Sequence, residues 1–191
     1  MTSKLVLASS SPRREKLFRK LGLDFNIISP DVVEKHTDGE SPVEYVLRIS
    51  LEKALTVAAA LEHKHIVIGA DTIVVCDGDI LGKPEDEEEA KSMLMRLSAR
   101  YHEVMTGLSI VKSKGEILHI EYVKSMVKFK SLNPDEIEEY VNTKEPLDKA
   151  GGYAAQGIGS FMIEEIQGSF TNIVGLPLSS LSNALKNLGI I

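Results

Sequence analysis

The chain has one cysteine, Cys76, in 191 residues. That excludes an intrachain disulfide and a zinc site built from cysteines, and it suits a reducing compartment. No apolar run is long enough to span a bilayer, and the N-terminal residues lack the basic-then-apolar pattern of a secretory leader. The expectation is a cytoplasmic protein that does not engage a membrane. Cations are in deficit: 22 Lys and Arg stand against 28 Asp and Glu, a net charge of −6. That balance argues against nucleic acid as a partner, since backbone binding needs clustered cations, and neither a basic helix nor a run of stacking aromatics offsets it. A local basic patch can still hold a small anion. Internal repeats, low-complexity tracts and linkers are missing as well. The five histidines (His36, His63, His65, His102 and His119) show no metal-ligand spacing and are expected to be structural or exposed.

What is present has the proportions of a globular protein, 43% hydrophobic and 26% charged. The length suits one domain over residues 1–191, or two small lobes sharing a sheet. Lys4 to Ala8 reads as a buried strand that breaks at three serines. Pro12 suits the first turn of a helix running to Leu21, with Gly22 as its stop. Phe25 to Ile28 reads as a strand. Ser41-Pro42-Val43-Glu44 is a capping box opening a long helix, whose apolar stripe is Val43, Leu47, Leu51, Ala54, Leu55 and Ala58. Ile66 to Gly69 is a strand ending at Ala70-Asp71-Thr72, and strand resumes from Ile73 to Cys76 before the hairpin signal Asp77-Gly78. A helix over 85–97 follows. His102 to Val111 and Ile117 to Phe129 read as an antiparallel pair. Pro134 opens a short helix, Pro146 to Gly159 is a glycine-rich loop, Phe161 to Ile166 a strand, and Pro177 starts a last helix with Leu178, Leu181, Leu185 and Leu188 inward. This order predicts an α/β fold, a mixed twisted sheet with flanking helices, and functional-looking loops spread along the whole chain point to a cleft between two lobes.

Several segments have the chemistry of a site. At Ser9-Ser10-Ser11-Pro12-Arg13-Arg14, a strand, a polar turn and a helix start leave free N–H groups and a positive helix end facing outward. Arg13 and Arg14 oppose the helix dipole there, at roughly 0.3–1 kcal/mol each, and a bound anion would reverse that penalty. The alternative is a serine cap with solvated arginines. Asp71 follows an apolar strand, and strand ends are where α/β enzymes place catalytic groups. Its carboxylate could orient a metal or accept a proton from water, or simply form a turn. Glu34 reads as a second carboxylate or a solvated loop residue. Lys53, taken alone, reads as an exposed helix lysine. Lys83, in Gly82-Lys83-Pro84, sits where glycine lets backbone approach a ligand, although the spacing of a phosphate-binding P-loop is missing. The segment Asp148 to Gly157 could close on a flat polar ligand, Gln156 offering both a donor and an acceptor to a base edge, or serve as a hinge.

Together these segments resemble the Maf family of nucleoside triphosphate pyrophosphatases. The likeness rests on Ala8-Ser9-Ser10-Ser11-Pro12-Arg13-Arg14, Glu52-Lys53-Ala54, Gly69-Ala70-Asp71-Thr72, Gly82-Lys83-Pro84, Asp148-Lys149-Ala150-Gly151 and Asn172 followed by Val174-Gly175-Leu176-Pro177. It implies a fold related to the inosine triphosphate pyrophosphatases, and hydrolysis of a nucleoside triphosphate to monophosphate and pyrophosphate with Mg²⁺ or Mn²⁺. By the same resemblance Asp71 is the proton acceptor, Ser9, Arg14, Lys53 and Lys83 bind phosphates, and Glu34 and Asp71 lie at the metal. Arg13, Thr72 and Gln156 match the subgroup that acts on dTTP and UTP. A subgroup acting on 7-methyl-GTP carries Trp, Gln and Glu at those places. A homodimer is common in the family, and the alternative readings are a pyrophosphatase of 7-methyl-GTP or of modified nucleotides with broad base tolerance, and a regulator of cell division acting by binding. One departure is Ser98-Ala99-Arg100, where the family has a glycine after the serine.

Overall fold

The computed structural model describes residues 4–62 and 64–191, so His63 lies outside the described residues. Among the described residues seven strands, β1 (Lys4–Ala8), β2 (Phe25–Ile28), β3 (His65–Cys76), β4 (Asp79–Leu81), β5 (Tyr101–Lys112), β6 (Ile117–Phe129) and β7 (Ile163–Gln167), form one mixed sheet in the order β2-β1-β3-β5-β6-β7, with β4 paired to β3. The chain divides into two compact units. The first comprises Met1–Asp71, Thr106–Val123 and Gly175–Ile191, the second Thr72–Met105 and Lys124–Val174.

The first unit begins with β1 (Lys4–Ala8), buried from Leu5 onward. Helix α1 (Pro12–Arg19) is capped by the Ser11 hydroxyl, which accepts the Arg14 N–H. It ends at Arg19, before Leu21, because the N–H groups of Lys20, Leu21 and Gly22 turn back onto the carbonyls of Leu17, Phe18 and Arg19. These tighter bonds close the helix. Strand β2 (Phe25–Ile28) pairs parallel with β1, which pairs parallel with β3 (His65–Cys76). Parallel neighbours need crossovers, and α1 and α2 (Pro42–Ala59) supply them.

Helix α2 has the expected capping box, Ser41 and Glu44 each bonding the other's backbone N–H. Its inward face differs from the expected stripe. Val46, Ile49, Ser50, Lys53, Ala54, Val57 and Ala58 are buried, while Val43, Leu47, Leu51 and Leu55 are only partly so. The sheet explains the rotation. A Cβ at Gly69 would lie 2.3 Å from the Ser50 carbonyl oxygen, and one at Gly107 would lie 2.1 Å from that of Val46. Bare strand backbone meets the small residues of the helix, and the leucines flank that contact. The Ser50 and Ser109 hydroxyls bond at 2.9 Å across it. Val6, Ala8, Ala54, Val57, Ala58, Val67 and Val111 form a core cluster here. Helix α6 (Leu178–Asn187) buries Leu181, Ala184 and Leu185, with Leu178 and Leu188 at the margin.

Strand β3 corrects a second expectation. It runs unbroken for 12 residues, with Asp71 in its interior and no turn at Ala70-Asp71-Thr72. The Asp71 side chain finds its partner on α2, so the strand continues through it.

In the second unit, Asp77 (φ 54°) and Gly78 (φ 87°) form the expected turn into β4 (Asp79–Leu81), both with the positive φ of a tight hairpin. Helix α3 (Glu87–Leu97) starts two residues later than predicted, because Asp86 caps it by accepting the Glu89 N–H. Strands β5 (Tyr101–Lys112) and β6 (Ile117–Phe129), whose Thr106–Val123 portion belongs to the first unit, are joined by a short turn, which only antiparallel strands allow. Helix α4 (Pro134–Asn142) carries its own capping box, Asn133 with Glu136. Strand β7 (Ile163–Gln167) starts after Phe161, since Ile158–Met162 winds as a 3₁₀ turn. A short helix, α5 (Phe170–Val174), was not expected. The core gathers Leu94, Leu97, Phe129, Tyr140, Tyr153 and Met162 among others. Ala99, where the resemblance anticipates glycine, has φ 57°, a conformation glycine adopts without steric cost.

Candidate active site

The first unit holds a three-residue charge cluster. The Lys53 ammonium lies 2.6 Å from Asp71 Oδ1 and 2.7 Å from Glu34 Oε1. Lys53 and Asp71 are each 5% exposed, whereas Glu34 comes from an exposed loop. The solvated helix lysine expected from α2 taken alone is therefore corrected. Lys53 is on the inward face, one turn from Ser50, and the close approach at Gly69 lets it reach Asp71 two residues along the same face of β3. An ammonium has three donors. Two point at carboxylates.

The serine-arginine corner follows β1 in the same unit. The Ser9 side chain is buried, and its hydroxyl oxygen accepts the Ser11 N–H at 3.1 Å. The Ser9 N–H donates to the carbonyls of Leu7 and Ile28, fixing the turn. Arg14 donates from Nε to the Gly175 carbonyl at 2.8 Å, tying the corner to the segment before α6. Burial lowers the Arg14 guanidinium from its ordinary pKa. The charges of Asp71 and Glu34 work against that shift, and Arg13 works with it. Arg14 thus shares the electrostatic surroundings of the two carboxylates. Arg13 is half-buried in the first turn of α1.

Two residues of this neighbourhood were missed in the sequence. Tyr45 is 7% exposed, and its phenol is pushed up to about 12, by burial first and then by Asp71 and Glu34. Arg48 holds the loop that carries Glu34. It bonds Glu40 through Nε at 2.6 Å and Nη2 at 2.7 Å, and the Lys35 carbonyl at 3.1 Å. Its guanidinium lies over the Tyr45 ring, 5.5 Å from the centroid. The available signal was a Tyr and an Arg three apart, a spacing that puts both on one helix face.

The other candidates belong to the second unit. Thr72 is half-buried in β3, Lys83 is exposed in the loop after β4, and Gln156 is exposed in the loop before β7. The loops of Lys83 and Gln156 are joined, the Gly151 N–H donating to the Gly82 carbonyl at 2.9 Å. Gly151 has φ 68°, and a Cβ there would sit 2.9 Å from the Val74 side chain, so glycine is required where these segments meet. His102 is structural, as expected, buried and bonded through Nε2 to the Tyr153 hydroxyl at 2.8 Å.

The family model described as "Maf-like protein" matches residues 4–188. The chain belongs to the Maf family. A Maf relative from Syntrophus aciditrophicus (strain SB), named dTTP/UTP pyrophosphatase, is 49% identical over 189 residues, covering 99% of this chain and 92% of its own. One of the same name from Clostridioides difficile (strain 630) is 47% identical, covering 95% of this chain and 93% of its own. Among solved structures, a HAM1 protein from Coxiella burnetii matches with a TM-score of 0.54 at 15% identity, over 98% of this chain and 100% of that one. That likeness is one of fold.

The donor set of this Maf chain can be tested against a divalent metal. No group of three or more His, Cys, Asp or Glu side chains able to hold a metal is found among the described residues. Two carboxylates, Glu34 and Asp71, do converge on one point, the Lys53 ammonium. A pair of carboxylates fits Mg²⁺, which is commonly held by one or two carboxylates with substrate phosphates and water completing its shell. No helix among the described residues is long and apolar enough to cross a membrane.

Proposed function

We propose that this Maf chain is a cytoplasmic nucleoside triphosphate pyrophosphatase that hydrolyses dTTP and UTP to the monophosphate and pyrophosphate. The observation that carries the reading is the buried Lys53 ammonium held between Asp71 and Glu34. The names of the relatives, at 47–49% identity over nearly the whole chain, support it.

Water attacks the α-phosphorus in line with the bond to the bridging oxygen. The new P–O bond forms as the bridging bond breaks, and pyrophosphate leaves. Asp71 takes the proton of the attacking water, a general-base contribution of typically 10²–10⁴-fold. Lys53 holds that carboxylate in place and donates to a phosphate oxygen. Ser9 and Arg14 grip phosphates at the corner, where N–H groups and the start of α1 favour an anion, and Lys83 is a further phosphate ligand. Mg²⁺ or Mn²⁺, held by Glu34 and Asp71, would supply neutralisation of charge developing on the phosphate oxygens. Arg13, Thr72 and Gln156 select the pyrimidine, Gln156 by pairing its amide with the base edge.

The test is pyrophosphate release across dTTP, UTP, GTP and 7-methyl-GTP, with and without Mg²⁺. dTTP and UTP should be fastest. Preference for 7-methyl-GTP would overturn the base assignment, and no release from any of the four would overturn the reading itself. Asp71→Asn should fold normally and lose most turnover.

A further inference from the structure

Gln156 stands exposed in a segment whose two ends return to the same pair of side chains. Before it, the Ala154 N–H donates to the Tyr140 hydroxyl at 3.1 Å. After it, the N–H groups of Ile158 and Gly159 donate to the two Glu145 carboxylate oxygens at 3.2 and 2.9 Å. Gly159 lies against both side chains, its N–H reaching the Glu145 carboxylate and its α-carbon facing the Tyr140 hydroxyl, so the two ends are held by neighbouring anchors. The pair is firmly seated, since Tyr140 is 1% exposed in the second unit's core. The approach is close enough to demand glycine twice. A Cβ on Gly157, at φ 150°, would lie 2.2 Å from Glu145 Oε1, and one on Gly159 would lie 2.5 Å from the Tyr140 hydroxyl. Tyr153, just upstream, is anchored to His102. Only Ala155, Gln156 and Gly157 lie between the bonded ends.

We infer that Tyr140 and Glu145 are specificity-positioning residues, closing the Ala154–Gly159 segment into a rigid bracket that presents the Gln156 amide to the base. The inference rests on the proposal that Gln156 reads the pyrimidine. Neither side chain touches substrate; both act through the backbone amides they hold. The carboxylate matters because an anionic acceptor can satisfy two backbone donors at once, with bonds roughly twice as strong as neutral ones.

The experiment compares kcat and KM for dTTP and GTP in the full chain and in Tyr140→Phe, Glu145→Gln, Glu145→Ala and Gln156→Ala. Gln156→Ala should lower the dTTP preference by about tenfold or more, the scale on which lost hydrogen-bond readout appears in specificity. Glu145→Ala should produce much of the same loss, mainly as a raised KM for dTTP, with GTP turnover little changed. Glu145→Gln keeps one acceptor oxygen and should recover part of the preference. Tyr140→Phe removes only the hydroxyl and carries the same test if Glu145→Ala does not fold. The bracket is refuted if Gln156→Ala loses the preference while Tyr140→Phe and Glu145→Gln both keep it in full. If Gln156→Ala itself leaves the preference intact, the base-reading assignment falls and the bracket falls with it. Equal loss of kcat on both nucleotides in the Tyr140 and Glu145 variants would indicate general damage and would also overturn the inference.

Discussion

Acidification should destabilise this protein through His102. The imidazole is 1% exposed and packed edge-on against the rings of Phe129 and Tyr153, at centroid distances of 4.9 and 5.4 Å. Its Nε2 meets the Tyr153 hydroxyl, and its buried Nδ1 has no hydrogen-bond partner among the described residues. Burial pushes its pKa down from 6.5 to about 4, so the native state holds the ring neutral where the unfolded chain protonates it. The unfolded state therefore binds more protons between those two values, and stability falls as pH drops through the window. The gap of 6.5 − 4 = 2.5 units is worth about 3 kcal/mol in full at 1.36 kcal/mol per unit. Roughly 2.5 kcal/mol of it should already be lost by pH 4.5 relative to pH 7.5. Urea melts across that range, on the parent chain and on His102→Phe, isolate the effect. The substitution keeps an aromatic ring and leaves the Tyr153 hydroxyl without its partner, an offset of about 1 kcal/mol that does not vary with pH over this range. The parent should therefore lose stability more steeply than His102→Phe, by close to one proton at mid-window. Parallel curves for the two proteins would refute the reasoning.

Three further outcomes are expected. Lys53→Met removes the countercharge of a buried carboxylate and should destabilise by about 3 kcal/mol, with turnover falling as well; an unchanged denaturant midpoint would show that the contact contributes nothing. Ala99→Gly relieves a left-handed alanine and should be neutral or stabilising by up to about 1 kcal/mol, measurable as a rise in Tm with activity unaltered. Gly151→Ala places a Cβ against Val74 at a positive φ and should cost at least about 1–2 kcal/mol, read by the same melts.

Signals written in adjacent residues were legible before any coordinates. Ser41 with Glu44, Asp77-Gly78, and Pro12 after Ser11 each specify a local backbone conformation, and the chain adopts it. The strand bounds of β1 and β2 were legible too, because short apolar runs were bounded by polar turns. What escaped depends on partners distant in sequence. The inward face of α2 could not be read from its leucines, because the bare backbone at Gly69 and Gly107 decides which side nests. Lys53 looked solvated for the same reason, and Asp71 looked like a strand end because its partner lies 18 residues upstream. Glu145 gave no signal, since its partners are backbone amides, which carry no letter in the sequence.

The seating of α2 on Gly69 bears on how the protein tolerates change. An alanine at Gly69 would meet the Ser50 carbonyl oxygen and the Ala54 backbone nitrogen, groups that no side-chain substitution can trim. Compensation would require the whole helix to lift, and Lys53 would lift with it, away from Asp71. A methyl group with no chemistry of its own would then mimic the loss of a charged residue. In a selection for activity, Gly69 should behave as intolerantly as Asp71, and second-site suppressors near the helix should be rare.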